Sequence, residues 1–193
     1  MSDAWVFGYG SLVSPASAAA TLGEPLDLVA PVRLRGWRRR WSTARDNLAS
    51  EKTFAPAGGG EPFRCCLGLN IEPAPGEPGA NGALLRLGAA QIARLDAREL
   101  RYDRIEVGDD IDSQPPDGAP VIAYVAKAAH HRRRPPPGAV ILASYVRAVE
   151  AAFAELGRPE LERYRATTDD PPVDVVEGVL VEDRIPPGNP RSW

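Results

Sequence analysis

Short strand-like runs fill the first two thirds of this chain and helical patterning gathers toward its end, an order that favours an α+β mixture over a regularly alternating parallel sheet. Trp5 to Tyr9 is an apolar, aromatic run broken by Gly8 and Gly10, which reads as a buried strand closing in a turn that exposes backbone amides. Ser14-Pro15 and the alanines up to Leu22 suit a short helix, with Ser14 as cap and Pro15 in the first turn. Val29 to Ser42 alternates, with Val32, Leu34, Trp37 and Trp41 inward and arginines between, as in a strand bent at Gly36. Thr43 to Pro62 has no sustained period and contains Gly58-Gly59-Gly60, so a long loop is expected. Phe63 to Ile71 and Gly82 to Leu87 are strand-like and joined by a proline- and glycine-rich turn, the pattern of a hairpin.

Ala89 to Leu100 carries Ile92, Leu95 and Leu100 at near-helical spacing, and Tyr102 to Ile111 and Pro120 to Ala128 alternate as strands on either side of Pro115-Pro116-Asp117-Gly118. Ala139 to Leu156 is the clearest amphipathic helix, ended by Gly157. A second helix is expected from Pro159 to Arg165, and the sequence after Asp169 is proline-rich. At 193 residues, with no internal repeat and no linker-like tract, one domain over 1–193 is expected.

Composition narrows the chemistry by exclusion. No apolar run approaches the roughly 18 residues that span a bilayer. The opening Met1-Ser2-Asp3-Ala4-Trp5 has neither a basic flank nor a small-residue cleavage site, which points to the cytoplasm and to no membrane partner. The adjacent Cys65 and Cys66 are poorly placed to bridge to each other, as suits a reducing compartment. A net charge of -3 gives no general attraction to nucleic acid, and Arg132-Arg133-Arg134 beside three prolines reads as an exposed loop. The neighbouring His130 and His131 point apart on a strand and diverge on a helix, so no His-x-x-His or Cys-x-x-Cys set exists for a metal. No Gly-x-Ser-x-Gly elbow and no Walker or Gly-x-Gly-x-x-Gly loop is present.

What remains is Glu99, at the end of a helix just before a strand. There the helix dipole disfavours a carboxylate and partial burial raises its pKa, so the group can move toward the range useful for proton transfer. From pattern alone it reads first as a solvated helix-end glutamate paired with Arg98, Arg101 or Arg104.

Val6-Phe7-Gly8-Tyr9-Gly10-Ser11-Leu12 resembles the opening strand and loop of the γ-glutamyl cyclotransferase superfamily, and Leu95-Asp96-x-x-Glu99-x-x-Tyr102-x-Arg104 its second motif, which bears the catalytic glutamate. Leu34-Arg35-Gly36-Trp37-Arg38-Arg39 is similar to the family's Gly-aromatic-Arg segment, and Asn81-Gly82-Ala83-Leu84-Leu85-Arg86-Leu87 to its glycine-led strand. The resemblance implies a small mixed β-barrel flanked by helices and a cofactor-free reaction. In it the α-amine of a γ-glutamyl group attacks its own γ-carbonyl, giving 5-oxoproline and a free amine or amino acid. Because the nucleophile belongs to the substrate and a five-membered ring closes, no serine, cysteine or metal is needed.

By the same resemblance Glu99 moves the protons, while backbone amides around Tyr9, Gly10, Ser11 and Leu12 hold the α-carboxylate and polarise the γ-carbonyl. Ser11 either bonds substrate through its hydroxyl or closes the turn, and Tyr9 is either a packing residue or a ligand contact. Arg38 either meets a substrate carboxylate or belongs with Arg35, Arg39 and Arg40 on a solvated strand face. Tyr102 and Tyr145 either line the cavity or pack the core. The implied partner is a small γ-glutamyl molecule. Phe7 to Leu12 leans toward the branch that cleaves glutathione, but Val13-Ser14-Pro15 stands where that branch has Ile-Trp. Removal of a γ-glutamyl protecting group from a biosynthetic intermediate and non-catalytic γ-glutamyl binding are the other readings.

Overall fold

A computed structural model describes residues 3–22 and 28–185; Met1, Ser2 and the tail beyond Ile185, included in the reading above, lie outside the described residues. The architecture is α+β. β1 (Ala4–Gly8) is buried along its whole length because it lies inside a five-stranded sheet of order β2-β6-β1-β8-β7. It runs antiparallel to β6 (Ala80–Leu87) and parallel to β8 (Val121–Ala126), with β2 (Leu28–Leu34) and β7 (Tyr102–Glu106) at the edges. A strand covered on both faces needs a continuous apolar run rather than alternation, which Trp5, Val6 and Phe7 supply.

A second sheet has the order β10-β9-β5-β3, built from β3 (Trp37–Asp46), β5 (Cys65–Pro73), β9 (Ala139–Leu142) and β10 (Val175–Val176). β4 (Lys52–Pro56) and β11 (Gly178–Asp183) form a two-stranded ladder. The helices are α1 (Pro15–Leu22), α2 (Ala89–Arg98), α3 (Ala143–Glu155) and α4 (Arg158–Ala166). A buried cluster running from Trp5 to Tyr164 joins both large sheets to α3 and α4. None of the described helices is long and apolar enough to cross a membrane.

Several local expectations give way to non-local pairing. The hairpin expected between Phe63–Ile71 and Gly82–Leu87 does not form: β5 pairs with β3 and β9, and β6 with β1 and β2. Each is largely buried and takes two neighbours, so the proline-rich segment between them carries the chain from one sheet to the other. The strand expected from Val29 to Ser42 is two strands in different sheets, separated at Gly36, whose φ of 71° suits a glycine.

The loop expected over Thr43 to Pro62 contains the end of β3, a turn in which the Asp46 carboxylate accepts from the amides of Leu48 and Ala49, and β4. The partner of β4 is β11, in the tail read only as proline-rich. The helix expected from Ala139 begins at Ala143, because Ala139–Leu142 is a strand parallel to β5. The strand from Tyr102 stops at Glu106 and is followed by a 3-10 turn at Gly108–Asp110.

Candidate active site

β1 leaves its sheet at Gly8, and the chain then tightens into a 3-10 turn over Ser11–Val13. The close crossing depends on Gly82 of β6: a Cβ there would stand 2.2 Å from the Gly8 carbonyl oxygen and 2.8 Å from the Phe7 ring. Val13 donates to the Gly10 carbonyl at 3.1 Å and Ser14 to that of Ser11 at 3.3 Å. Ser11 and Leu12 stand ahead of the first of these bonds, so their amides have no partner within the turn. On the opposite side α2 ends at Arg98, and Glu99 caps it, donating its amide to the Leu95 carbonyl at 2.8 Å. Leu95 and Ile92 anchor the helix in the core, which fixes where Glu99 emerges.

Between these segments lies a cavity of about 500 Å³. Tyr9, Gly10, Ser11, Leu12, Glu99, Tyr102 and Tyr145 all line it. Arg98 spans the two segments: its guanidinium pairs with Glu99 at 3.2 Å, donates to the Ser11 hydroxyl at 3.3 Å and also bonds the Thr21 hydroxyl. The Tyr102 hydroxyl donates to the Leu69 carbonyl at 2.9 Å, and that of Tyr9 to the Tyr124 carbonyl at 2.7 Å. The Tyr145 hydroxyl lies 3.5 Å from where a Cβ on Gly10 would stand, so the side chain absent there leaves room above the turn. Beyond Leu69 the walls pass to Leu67, Phe54 of β4 and Leu180 of β11.

The electrostatics separate two roles. The Glu99 side chain is 18% exposed, and its burial pushes the carboxyl above the usual glutamate value against the opposing charges of Arg98 and Arg101. Arg101 is itself taken by Glu51 in a two-pronged pair at 3.0 and 2.7 Å, and Arg104 pairs with Asp96 at 3.2 Å. Burial likewise raises the phenols of Tyr9, Tyr102 and Tyr145, so they stay neutral hydrogen-bonding groups at ordinary pH. Among the described residues no group of three His, Cys, Asp or Glu side chains is arranged to hold a metal ion.

A solved structure of a γ-glutamyl cyclotransferase superposes on this chain with a TM-score of 0.58 at 15% identity, covering 91% of this chain and 94% of its own. An uncharacterized human protein superposes at 0.56 and 16% identity, over 92% and 95% of the two chains. The Bacillus subtilis protein YkqA follows at 0.54 and 17% identity, over 85% of this chain and 53% of its own. No protein-family model matches the sequence, and neither does any curated protein. The chain has the γ-glutamyl cyclotransferase fold.

Within that fold Arg38 and Arg39 of β3 part ways: the first takes the outer-face alternative and the second departs from it. Arg38 does not line the cavity; it is tied to Asp169 and, at 3.4 Å, to Glu77 on the outer side of the molecule. Arg39, expected on a solvated face, is fully buried, because residues of one parity on a strand share a face and Arg39 has the parity of Trp37 and Trp41. That parity was the available signal. The bridging role of Arg98 had none beyond its place beside Glu99, since its reach to Ser11 depends on the packing of α2 against the turn.

Proposed function

We propose that this chain is a γ-glutamyl cyclotransferase, acting without a cofactor on a γ-glutamyl peptide or amine. The supporting observation is the single arginine, Arg98, in contact with both Glu99 and Ser11, which brings the carboxyl and the amide-bearing turn to one cavity. Amides of Gly10, Ser11 and Leu12 bind the α-carboxylate and the γ-carbonyl oxygen of the substrate. The Glu99 carboxylate takes a proton from the α-ammonium, and the freed amine attacks the γ-carbonyl carbon, forming the ring C–N bond and a tetrahedral oxyanion. As that oxyanion collapses, the bond to the leaving nitrogen breaks and Glu99 returns the proton to it; the carboxylate then takes the second proton still carried by the ring nitrogen and passes it to the departing amine, releasing 5-oxoproline and the amine as its ammonium. Ring closure within one bound molecule supplies an effective molarity of about 10⁵ M or more, which stands in for a protein nucleophile.

The raised proton affinity of Glu99 suits it to return a proton as well as take one. One buried cluster from Trp5 to Tyr164 supports a single domain over 1–193, and the two unbridged cysteines fit a cytoplasmic setting. The test is 5-oxoproline release from glutathione, γ-glutamyl dipeptides and γ-glutamyl-ε-lysine, for wild type and Glu99→Gln. Release by the wild type alone is the expected result. Full activity in the variant removes the mechanism, and no release by either protein removes the enzymatic reading.

A further inference from the structure

An arginine is costly to bury unless its charge is compensated. Arg39 is fully buried, and no carboxylate among the described residues forms an ion pair with it. Its partners are neutral oxygens. Nε donates to the Tyr9 carbonyl at 2.7 Å, one terminal nitrogen to the Thr167 hydroxyl at 2.9 Å, and the other to the Asn81 carbonyl and, at 3.1 Å, to the Asn81 side-chain oxygen. The guanidinium also lies over the rings of Phe153 and Tyr164, 4.8 and 5.1 Å from their centroids. Asn81 hands its amide on to Glu160 at 2.8 Å, so the nearest compensating carboxylate stands behind a neutral side chain. Desolvation pushes the Arg39 pKa down to about 9, which leaves the group cationic at neutral pH.

The bond to Tyr9 sets the orientation of the loop. In a trans peptide the carbonyl and the following N–H point in opposite directions. With the Tyr9 carbonyl drawn into the core by Arg39, the Gly10 N–H is turned away from the core, on the side where Gly10 lines the cavity. Gly82 presses on the preceding peptide from β6, so Gly8 and Tyr9 are held from two sides. Resting on the cyclotransferase reading, we propose that Arg39 is a positioning residue: it clamps the Tyr9–Gly10 peptide so that the Gly10 amide faces the γ-carbonyl oxygen on which charge develops. It touches no substrate. Through Thr167, Phe153 and Tyr164 it also ties that aim to the C-terminal helices α3 and α4.

Arg39→Lys keeps the cation but cannot reach Tyr9, Asn81 and Thr167 together; Thr167→Val removes one anchor well outside the cavity. Two measurements apply: kcat and KM for whichever of glutathione or γ-glutamyl-ε-lysine the wild type converts, and the ¹⁵N-glycine spectrum of the ligand-free protein, with the Gly10 peak identified by its loss in Gly10→Ala. In Arg39→Lys we expect kcat to fall by about tenfold or more with a much smaller change in KM, because a mis-aimed donor is missed chiefly in the transition state. The Gly10 peak should shift while those of Gly59 and Gly118 stay in place, and Thr167→Val should give the same pattern, smaller. A folded Arg39→Lys with wild-type kcat and an unmoved Gly10 peak overturns the proposal. If Arg39→Lys does not fold, Thr167→Val decides, and an unmoved peak with unchanged kcat overturns it. Should the wild type release no 5-oxoproline, the enzymatic reading fails, while the Gly10 peak, read without turnover, still decides the clamp.

Discussion

Glu99 and Glu72 both lie beside arginines, and their protons are held in opposite ways. Glu99 faces the 500 Å³ cavity, whereas Glu72 lines a groove of about 350 Å³ on the outer side of β3 and β5, with Arg40, Arg132 and Asp169. Their side chains are nearly equally exposed, 18% and 17%. Burial raises the proton affinity of both. At Glu99 it prevails over the charges of Arg98 and Arg101, and the carboxyl sits above its usual range. At Glu72 it is outweighed by direct bonds from the Ser42 hydroxyl at 2.6 Å and the His131 ring at 2.8 Å, with Arg40 adding to them, and the carboxyl sits below. Neighbouring arginines therefore do not decide whether a half-buried carboxyl holds its proton more or less tightly. The hydrogen bonds delivered to the oxygens do.

Substituting each glutamate by glutamine tests that contrast most sharply. Glu99→Gln should lower kcat for 5-oxoproline release by about 10²- to 10⁴-fold, the usual worth of a general acid–base group. Glu72→Gln should leave kcat unchanged, because its carboxyl lies outside the cavity. Comparable losses in the two variants would erase the distinction.

Stability against pH should then diverge in sign. The Glu99 carboxyl has a raised folded pKa, so its contribution is fully present below the unfolded value of about 4.3 and is lost as pH rises through the folded pKa. Glu72 has a lowered folded pKa, so its contribution is present above about 4.3 and is lost as pH falls through the folded pKa. Urea midpoints measured from acid to neutral pH should show the difference between wild type and Glu99→Gln falling with pH, and that between wild type and Glu72→Gln rising. Parallel slopes would mean that burial governs both sites alike.

The cavity was more legible in the sequence than the groove, for a physical reason. A five-residue apolar strand ending in Gly8-Tyr9-Gly10 and a helix ending at Glu99 are local patterns, and local patterns survive folding. The wall that β4 and β11 add was not legible, because Lys52–Pro56 finds its partner at Gly178–Asp183, and pairing across such a separation leaves no periodic trace. Ala139–Leu142 fits the helical pattern that follows it because a short apolar run suits either period; its neighbours β5 and β10 decide for strand. On β3 the register shifts between Arg40 and Thr43, so the alternation that hides Arg39 beside Trp37 and Trp41 gives way to a run, Trp41 to Ala44, buried on both faces. A single inside–outside rule for the whole segment had to fail there.

The smallest effect belongs to Arg38, which joins the groove side of the molecule through Asp169, itself 3.4 Å from Arg40. Its side chain is partly exposed, and its bond to the Ala166 carbonyl at 3.3 Å and its pair with Glu77 at 3.4 Å are long. Ion pairs of this kind contribute about 0–1 kcal/mol and weaken with salt, so Arg38→Ala should lower the urea midpoint slightly, and less at high ionic strength. KM and kcat for a γ-glutamyl substrate should not move, since Arg38 has no surface in the cavity. A rise in KM alone would mean that bound substrate extends beyond the cavity toward Asp169, and the groove would then have to be treated as part of the binding site.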